Sequence, residues 1–366
     1  MPHAELVEFL RDWGGRLRDG GLFAPHWPLE WGGGFSVPEQ IAIAEELARG
    51  DAPRNALFHV AVFNVAPALL HHATDDQRQR YLTGIREGEV WCQGFSEPDA
   101  GSDLASLQTS AVRDGERYVV NGQKVWTSWA NDADWCMLLV RTDPEATKHK
   151  GISCLIVDMR TPGIEVRPIR QAWGPADFNE VFFDEVVVPA ENLLGAENHG
   201  WGVAQGTLAP ERAVAILDAT ERLRCHGIEA AVADAAAWRL ESGQPALDDS
   251  AVREGLAARY AEVHVLRHLL NQMIDGILRG EDVSGTSSII KVFYSELLHA
   301  LMQQVTALQG VAGQLDRPVL ACSGWETGFW MNDYLHAFGW LIGGGTNEIQ
   351  RNVIGERMLG LPREGR

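Results

Sequence analysis

Paired cysteines, long apolar runs and a surplus of basic residues are all missing from this 366-residue chain. The five cysteines (Cys92, Cys136, Cys154, Cys225 and Cys322) are odd in number and scattered. They form no CxxC pair and no Cys/His cluster, which argues against a disulfide framework or a structural zinc site. No stretch of about 18 apolar residues is present to span a bilayer. The segment Met1 to Gly20 carries Glu5, Glu8 and Asp12 and lacks the apolar core of a secretory leader. Lys and Arg number 31 against 50 Asp and Glu, a formal net charge of −19. Such a field repels phosphate backbones, so nucleic acid is not an expected partner. An anionic ligand has to be held by local donors instead. Internal repeats and low-complexity tracts are also absent. The expectation is a cytoplasmic, non-membrane protein long enough for two or three packed cores.

What is present changes character twice along the chain. Up to about residue 90 the pattern is helical: Leu6, Leu10, Trp13 and Leu17 recur at helical spacing. Pro25 to Gly34 interrupts it, Pro38 opens a second helix, and Thr74 with Gln77 predicts a capping box for the segment through Ile85. From Trp91 to about Gly195, β-branched and aromatic runs alternate with turn residues. Asn121-Gly122 between Tyr118–Val120 and Gln123–Trp126 predicts a type I′ hairpin, since both residues tolerate positive φ. Further strands are expected at Trp135–Arg141, Ile152–Asp158, Gly163–Pro168 and Glu180–Val188. Beyond Gly200 long Ala- and Leu-rich helical stretches return, broken at Gly243–Pro245, Gly280–Ser284 and Asp316–Pro318. Four or five helices of bundle type fit there.

Four landmarks make the pattern specific. Ser96-Glu97-Pro98-Asp99-Ala100-Gly101-Ser102-Asp103 comes first, then Asn121-Gly122-Gln123-Lys124-Val125-Trp126-Thr127-Ser128. Val188-Pro189 with Asn192-Leu193-Leu194-Gly195 follows, and Gly345-Thr346-Asn347-Glu348-Ile349-Gln350-Arg351 with Glu356-Arg357 lies near the end. In this order and spacing they resemble the acyl-CoA dehydrogenase family over nearly the whole chain. The resemblance implies an α+β multidomain fold: an N-terminal helical domain (1–90), a middle antiparallel β-barrel (91–196) and a C-terminal helical bundle (197–366). It implies bound FAD and oxidation of the Cα–Cβ bond of an acyl-CoA thioester. It also implies electron transfer to an electron-transferring flavoprotein, and a dimer or tetramer in which FAD spans two subunits.

By the same resemblance, Gln93, Phe95 and Ser96 run along the flavin, Gly101 permits close approach, and Ser102 donates to the thioester ligand. Trp126 packs on the isoalloxazine, and Ser128 stands near the hydride-accepting atom. Taken alone, Trp126 reads as a hairpin core residue, and Ser96 and Ser102 as turn formers. Arg239, Gln309, Thr346 and Glu348 complete the expected FAD set. Most members carry the catalytic glutamate just before the C-terminal Gly-Thr, where this chain has Gly344. Isovaleryl- and long-chain-type members place it before an arginine on an earlier helix, and Glu211-Arg212 matches that position. Glu211 is therefore the expected base, with Arg212 orienting it or contacting the ligand and the Gly344 N–H donating to the thioester oxygen. The bland reading of Glu211 is an acid in the first turn of a helix opened by Pro210.

Several positions depart from the family pattern. The Arg-x-x-Phe-Gly segment that meets the FAD pyrophosphate is reduced to Arg239–Gly243, and the Gln-x-x-Gly-Gly stretch at the adenosine to Gln309–Gly313. Asn179-Glu180 replaces Arg-Gly beside the acyl pocket. With Gly343–Gly345 these changes resemble the actinobacterial branch that acts on steroid side-chain thioesters, some of whose members are heterotetramers with a related subunit. Three alternatives stay open: a carrier-protein thioester as substrate, a weakly catalytic or non-catalytic subunit of a heteromer, and an oxidase. His264 and His268 stand at i, i+4 spacing, but with no third ligand nearby an interior or interface pair is the better reading.

Overall fold

The apolar spacing at the start becomes helix α1 (His3–Asp19), with Leu10 and Leu17 buried and Leu6 and Trp13 packed beside them. The structure is a computed structural model that describes residues 2–206, 212–311 and 329–362, the side chains of 212–215 excepted. Along the chain follow α2 (Val37–Arg49), α3 (Ala66–His72) and α4 (Asp75–Glu87). Next come strands β1 (Trp91–Gly94), β2 (Ser110–Asp114), β3 (Arg117–Ser128), β4 (Trp135–Arg141), β5 (Ile152–Asp158), β6 (Ile164–Ile169), β7 (Phe178–Pro189) and β8 (Leu193–Leu194). The chain returns to helix as α5 (Gly200–Gly206), α6 (Arg212–Arg222), α7 (Glu229–Ala237), α8 (Ser250–Leu278), α9 (Ser284–Leu308), α10 (Trp330–Ile342) and α11 (Asn347–Val353). Of the expected helix breaks, Asp316–Pro318 lies outside the described residues.

The chain divides into two compact units. One holds residues 2–35 and 55–209. Its eight-stranded sheet runs in the order β6-β7-β3-β2-β4-β5-β8, with β1 added on β4. The pairing is antiparallel except where β1, and one residue pair of β2, run parallel to β4. Strand β4, buried at five consecutive residues, sits at the centre. The capping box of α4 forms as expected: the Thr74 hydroxyl accepts from the Gln77 N–H and the Gln77 side-chain Oε1 accepts from the Thr74 N–H. Gln77 then donates to the Glu191 and Leu193 carbonyls, so the same residue that starts the helix ties it to β8.

One turn of π-helix at Ala61–Val65 precedes α3. There the Ala66 N–H bonds the Ala61 carbonyl, and Pro67 has no N–H to offer, so the Val62 carbonyl lacks a helical donor. Trp27 Nε1 and His26 Nε2 supply it, at 3.1 and 3.3 Å.

The Asn121-Gly122 hairpin expectation is wrong. Both residues lie inside the continuous strand β3, at a bulge where Val120 faces Val186 but Gly122 faces Phe183. Asn121 bonds Glu185 in both directions across the bulge, at 2.7 and 2.9 Å. A Cβ on Gly122 would stand 2.6 Å from the Thr109 hydroxyl, so close packing demands the glycine rather than a turn. The true hairpin is two residues long, at Gly115-Glu116, with Asp114 facing Arg117.

The second unit contains residues 36–54 and 210–366. Here α2 packs with α6, and α8, α9 and α10 share one core around Leu266, Leu270, Leu298 and Leu301. The carboxylate of Glu221, side chain 5% exposed, accepts from Arg49, Arg224 and Arg267 at 3.1, 2.6 and 3.4 Å. No described helix is long and apolar enough to cross a membrane.

Candidate active site

Strand β3 makes a second bulge just where the Trp-Thr-Ser motif falls. Lys124 faces Val181, but Thr127 faces Asn179, so three residue steps oppose two. The extra residue is Trp126. Its φ is +60°, a left-handed conformation that costs an L-residue about 1–2 kcal/mol. The bulge turns its indole outward, 58% exposed, touching Phe178 edge-on at 6.2 Å. The hairpin-core reading of Trp126 therefore does not hold.

Beneath it the bulge is anchored by buried polar groups. Asn179, wholly buried, donates to the Thr127 carbonyl at 3.0 Å and to the Asn131 side chain and Asp177 carbonyl at 3.2 Å. Its own Oδ1 and the Thr127 hydroxyl have no partner among the described residues. Trp129, also at positive φ, donates its N–H to the Asp177 carbonyl and stacks near His3. Burial pushes the Asp177 carboxyl above the usual range, against a donor from Gln171.

The Ser96–Asp103 loop lies against the same strand. The Val125 N–H donates to the Ser96 carbonyl at 2.9 Å. The ammonium of Lys124, fully buried, donates to the Phe95 carbonyl at 3.1 Å and to Glu97 Oε1 at 2.8 Å. Glu97 in turn accepts the N–H groups of Gln108 and Thr109 at 2.7 and 2.8 Å. Burial pushes Lys124 down to about 8, and Glu97 opposes that shift. Burial works against the Glu97 charge, but Lys124 and the two N–H donors outweigh it and hold the carboxyl below its usual range. Farther along, Asp103 pairs with Lys148 at 2.7 Å, and Arg141 donates to the Ala105 and Leu107 carbonyls. Gln93, Phe95 and Ser96 are half-buried, Ser128 likewise, and Gly101 and Ser102 exposed. A Cβ on Gly101 would meet nothing within 4 Å, so the chain itself does not require glycine there. The fold thus sets the Phe95–Glu97 segment against the strand that carries Trp126.

The Glu97–Lys124 pair and the Asn179 anchor are the parts the sequence reading passes over. One signal is visible in hindsight: Lys124 shares the buried register of Tyr118 and Val120, and a lysine on an apolar strand face needs an acid.

In the helical unit the remaining candidates separate. Glu211 lies outside the described residues, and of Arg212 only the backbone, opening α6, is described. Gly344 (φ +67°) and Gly345 (φ +91°) lead into α11, where the Thr346 hydroxyl caps the Ile349 N–H. Glu348 sits exposed in the first turn, its carboxyl lowered by its own backbone N–H and by Thr346. Lys291 holds the turn by donating to the Leu341 carbonyl and to Asn347. Arg239 is exposed and donates to the Gly243 carbonyl at 2.8 Å, closing its own turn. Gln309 ends α9, beside a cavity of 460 Å³ lined by Glu241, Gln303, Thr306, Gly310 and Tyr334 among others. A carboxylate in that cavity disfavours a neighbouring phosphate. Among the described residues no cluster of His, Cys, Asp and Glu is arranged to hold a metal, and His264 instead packs on Tyr260.

Comparison with known proteins defines the class. Residues 2–89, 92–186 and 198–359 match the N-terminal, middle and C-terminal domains of acyl-CoA dehydrogenases. The chain belongs to the acyl-CoA dehydrogenase family, and with it to the FAD-dependent oxidoreductases. It is 38% identical to the acyl-CoA dehydrogenase IpdE1 of Mycobacterium tuberculosis over 367 residues, 99% of this chain and 90% of the relative. FadE26 of the same organism is 37% identical, with 95% of this chain and 87% of the relative covered. Among solved structures, the Tcur3481-Tcur3483 steroid acyl-CoA dehydrogenase superposes with a TM-score of 0.83 at 31% identity, covering 97% of this chain and 89% of that one. The ChsE4-ChsE5 complex of Mycobacterium tuberculosis gives 0.80 at 30%, covering 99% and 93%.

Proposed function

We propose that the chain converts an acyl-CoA thioester to its trans-2-enoyl form, with a steroid side chain as the acyl class. The observation that carries the reading is the outward, left-handed Trp126 beside the pinned Phe95–Ser96 segment. A large flat apolar ring with a polar edge fits that pairing of exposed indole and backbone groups. FAD, when bound, supplies the hydride acceptor. The residues proposed to hold it are Gln93, Phe95, Ser96, Gly101, Trp126 and Ser128, with Thr346 and Glu348. Arg239 and Gln309 are the weaker contributors, since Arg239 already serves its own turn.

An α-proton beside a thioester is only weakly acidic, so its removal needs a carboxylate together with donors to the developing enolate oxygen. Glu211 takes that proton, Arg212 orients it or contacts the ligand, and Ser102 and the Gly344 N–H bind the thioester. Electron-transferring flavoprotein is the partner that accepts the electrons. The two-component names of the steroid-type structures support assembly with a related subunit, and a homo-oligomer is the alternative.

The deciding measurement is a visible spectrum of the purified chain, followed by anaerobic titration with thioesters, steroid side-chain CoA esters included. The wild type should be yellow and bleach. Glu211→Gln should stay yellow and not bleach; normal bleaching by that variant removes Glu211 as the base. Bleaching by carrier-bound thioesters in place of CoA esters points to the carrier-protein alternative, and a colourless chain rescued by a second polypeptide to the partner-subunit one.

A further inference from the structure

We propose that the buried Glu97–Lys124 pair is a latch that sets the cofactor cradle, so that FAD affinity depends on a lysine no ligand can reach. The inference rests on the FAD reading given above and concerns residues to which that reading assigns no contact.

The side chain of Lys124 is 0% exposed and that of Glu97 9% exposed. Two of the three ammonium protons are accounted for, one by Glu97 and one by the Phe95 carbonyl. The other side of the latch is the carboxylate, which gathers the Gln108 and Thr109 N–H groups. One ion pair therefore fixes the Phe95 peptide, the start of the loop and its return into β2. Two residues beyond Lys124 the same strand bulges outward as Trp126. The two surfaces proposed to hold the flavin, peptide edge and indole face, are thus set against each other through this buried pair, together with the Val125 N–H bond to the Ser96 carbonyl.

Stability alone does not explain such a pair. Desolvating two charges offsets most of their attraction, and an apolar pair of equal volume often serves as well. Removing one partner is costly, because the other charge is left buried. Position is what the pair supplies and an apolar replacement does not: Phe95 O, Gln108 N and Thr109 N all converge on it. The other ionisable groups facing Lys124 are the Cys136 thiol and the Arg141 guanidinium, both on β4. Neither replaces Glu97 as acceptor. Loss of the Lys124 proton, which burial brings down to about 8, opens the latch from the inside.

The test uses the full-length chain, stripped of FAD and reconstituted, in four forms: wild type, Lys124→Met, Glu97→Gln and the double variant. Melting temperature of the apoprotein, FAD dissociation constant and flavin absorption spectrum are measured for each. Either single variant should melt lower. The double variant should recover most of that loss, yet keep an FAD dissociation constant raised roughly 10- to 100-fold, as expected for charge-assisted bonds that no longer orient the loop. Wild-type FAD release should accelerate as pH rises past about 8, and the double variant should lack that step. A double variant that binds FAD as tightly as the wild type overturns the latch and leaves the cofactor reading standing. So does pH-independent release by the wild type, which needs no variant to fold. A wild type that takes up no FAD at any pH overturns the cofactor reading and the latch together.

Discussion

Replacing Trp126 with glycine separates a cofactor platform from an ordinary core residue. Three contributions act on the apoprotein. Glycine relieves a left-handed backbone worth about 1–2 kcal/mol. It forfeits the edge contact with Phe178, about 0.5–1.5 kcal/mol. It also adds roughly 0.4–1 kcal/mol of unfolded-state freedom. These nearly cancel, because 58% of the indole already faces solvent and little burial is lost. At about 0.8 kcal/mol per degree for a chain of this length, the apoprotein should melt within about 2 °C of the wild type. A buried tryptophan would instead cost about 3–5 kcal/mol, some 4–6 °C. FAD affinity should behave in the opposite way, falling roughly 10- to 100-fold as a stacked aromatic face disappears. Differential scanning fluorimetry of apoprotein and fluorescence titration with FAD measure the two quantities on one preparation. A variant that melts far lower while binding FAD normally would show that Trp126 supports the fold and not the cofactor.

Further outcomes follow from the buried polar groups. Glu221→Gln weakens the charge-assisted bonds from Arg49, Arg224 and Arg267, which keep other carboxylate partners, so it should lower stability by about 1–3 kcal/mol in a melt. Burial pushes His26 down to about 4 from 6.5, so the unfolded chain binds a proton before the folded chain does. Its contribution is complete above pH 6.5 and is lost as pH falls toward 4, up to about 3 kcal/mol. His336 is lowered in the same way, so His26→Gln should flatten the acid limb of a melting-temperature profile in part and not entirely. Asn179→Leu removes the amide that donates under the Trp126 bulge to Thr127, Asn131 and Asp177, and should cost about 1–3 kcal/mol with an altered flavin spectrum. An unchanged spectrum in that variant would break the link between this anchor and the indole above it.

The parts legible in the sequence are those set by local chemistry. Trp135–Arg141 and Ile152–Asp158 form strands over the expected residues, since uninterrupted apolar runs of that length suit strands buried on both faces. Thr74 and Gln77 make the box their spacing announces. What local chemistry leaves undetermined is pairing. Asn121-Gly122 has the composition of a hairpin turn, and only the Thr109 hydroxyl and Glu185, brought in by other strands, make it a bulge instead. The parallel placement of β1 on β4 has no sequence signature at all. At the site, motif order names the Ser96–Asp103 and Asn121–Ser128 segments, and the structure sets Phe95–Glu97 against Lys124 and Val125. Motif order does not reveal that Glu97 and Lys124, 27 positions apart, form the join.

The glycine at position 344 bears on where a base can stand. At φ +67° its backbone suits a residue without a β-carbon, so a glutamate there would carry about 1–2 kcal/mol of strain. Its carbonyl is occupied by the Gln350 side chain at 3.1 Å, and its neighbours Gly343 and Gly345 offer no titratable group either. The next acid along, Glu348, is committed to the first turn of α11, where its own N–H and Thr346 hold it ionised. A carboxylate engaged in that way is a weak proton acceptor, because each donor that lowers its pKa also lowers its basicity. The turn can therefore present backbone N–H groups to a carbonyl oxygen but not a base. On the proposed function, proton abstraction comes from another segment, and Glu211 is the carboxylate proposed for it.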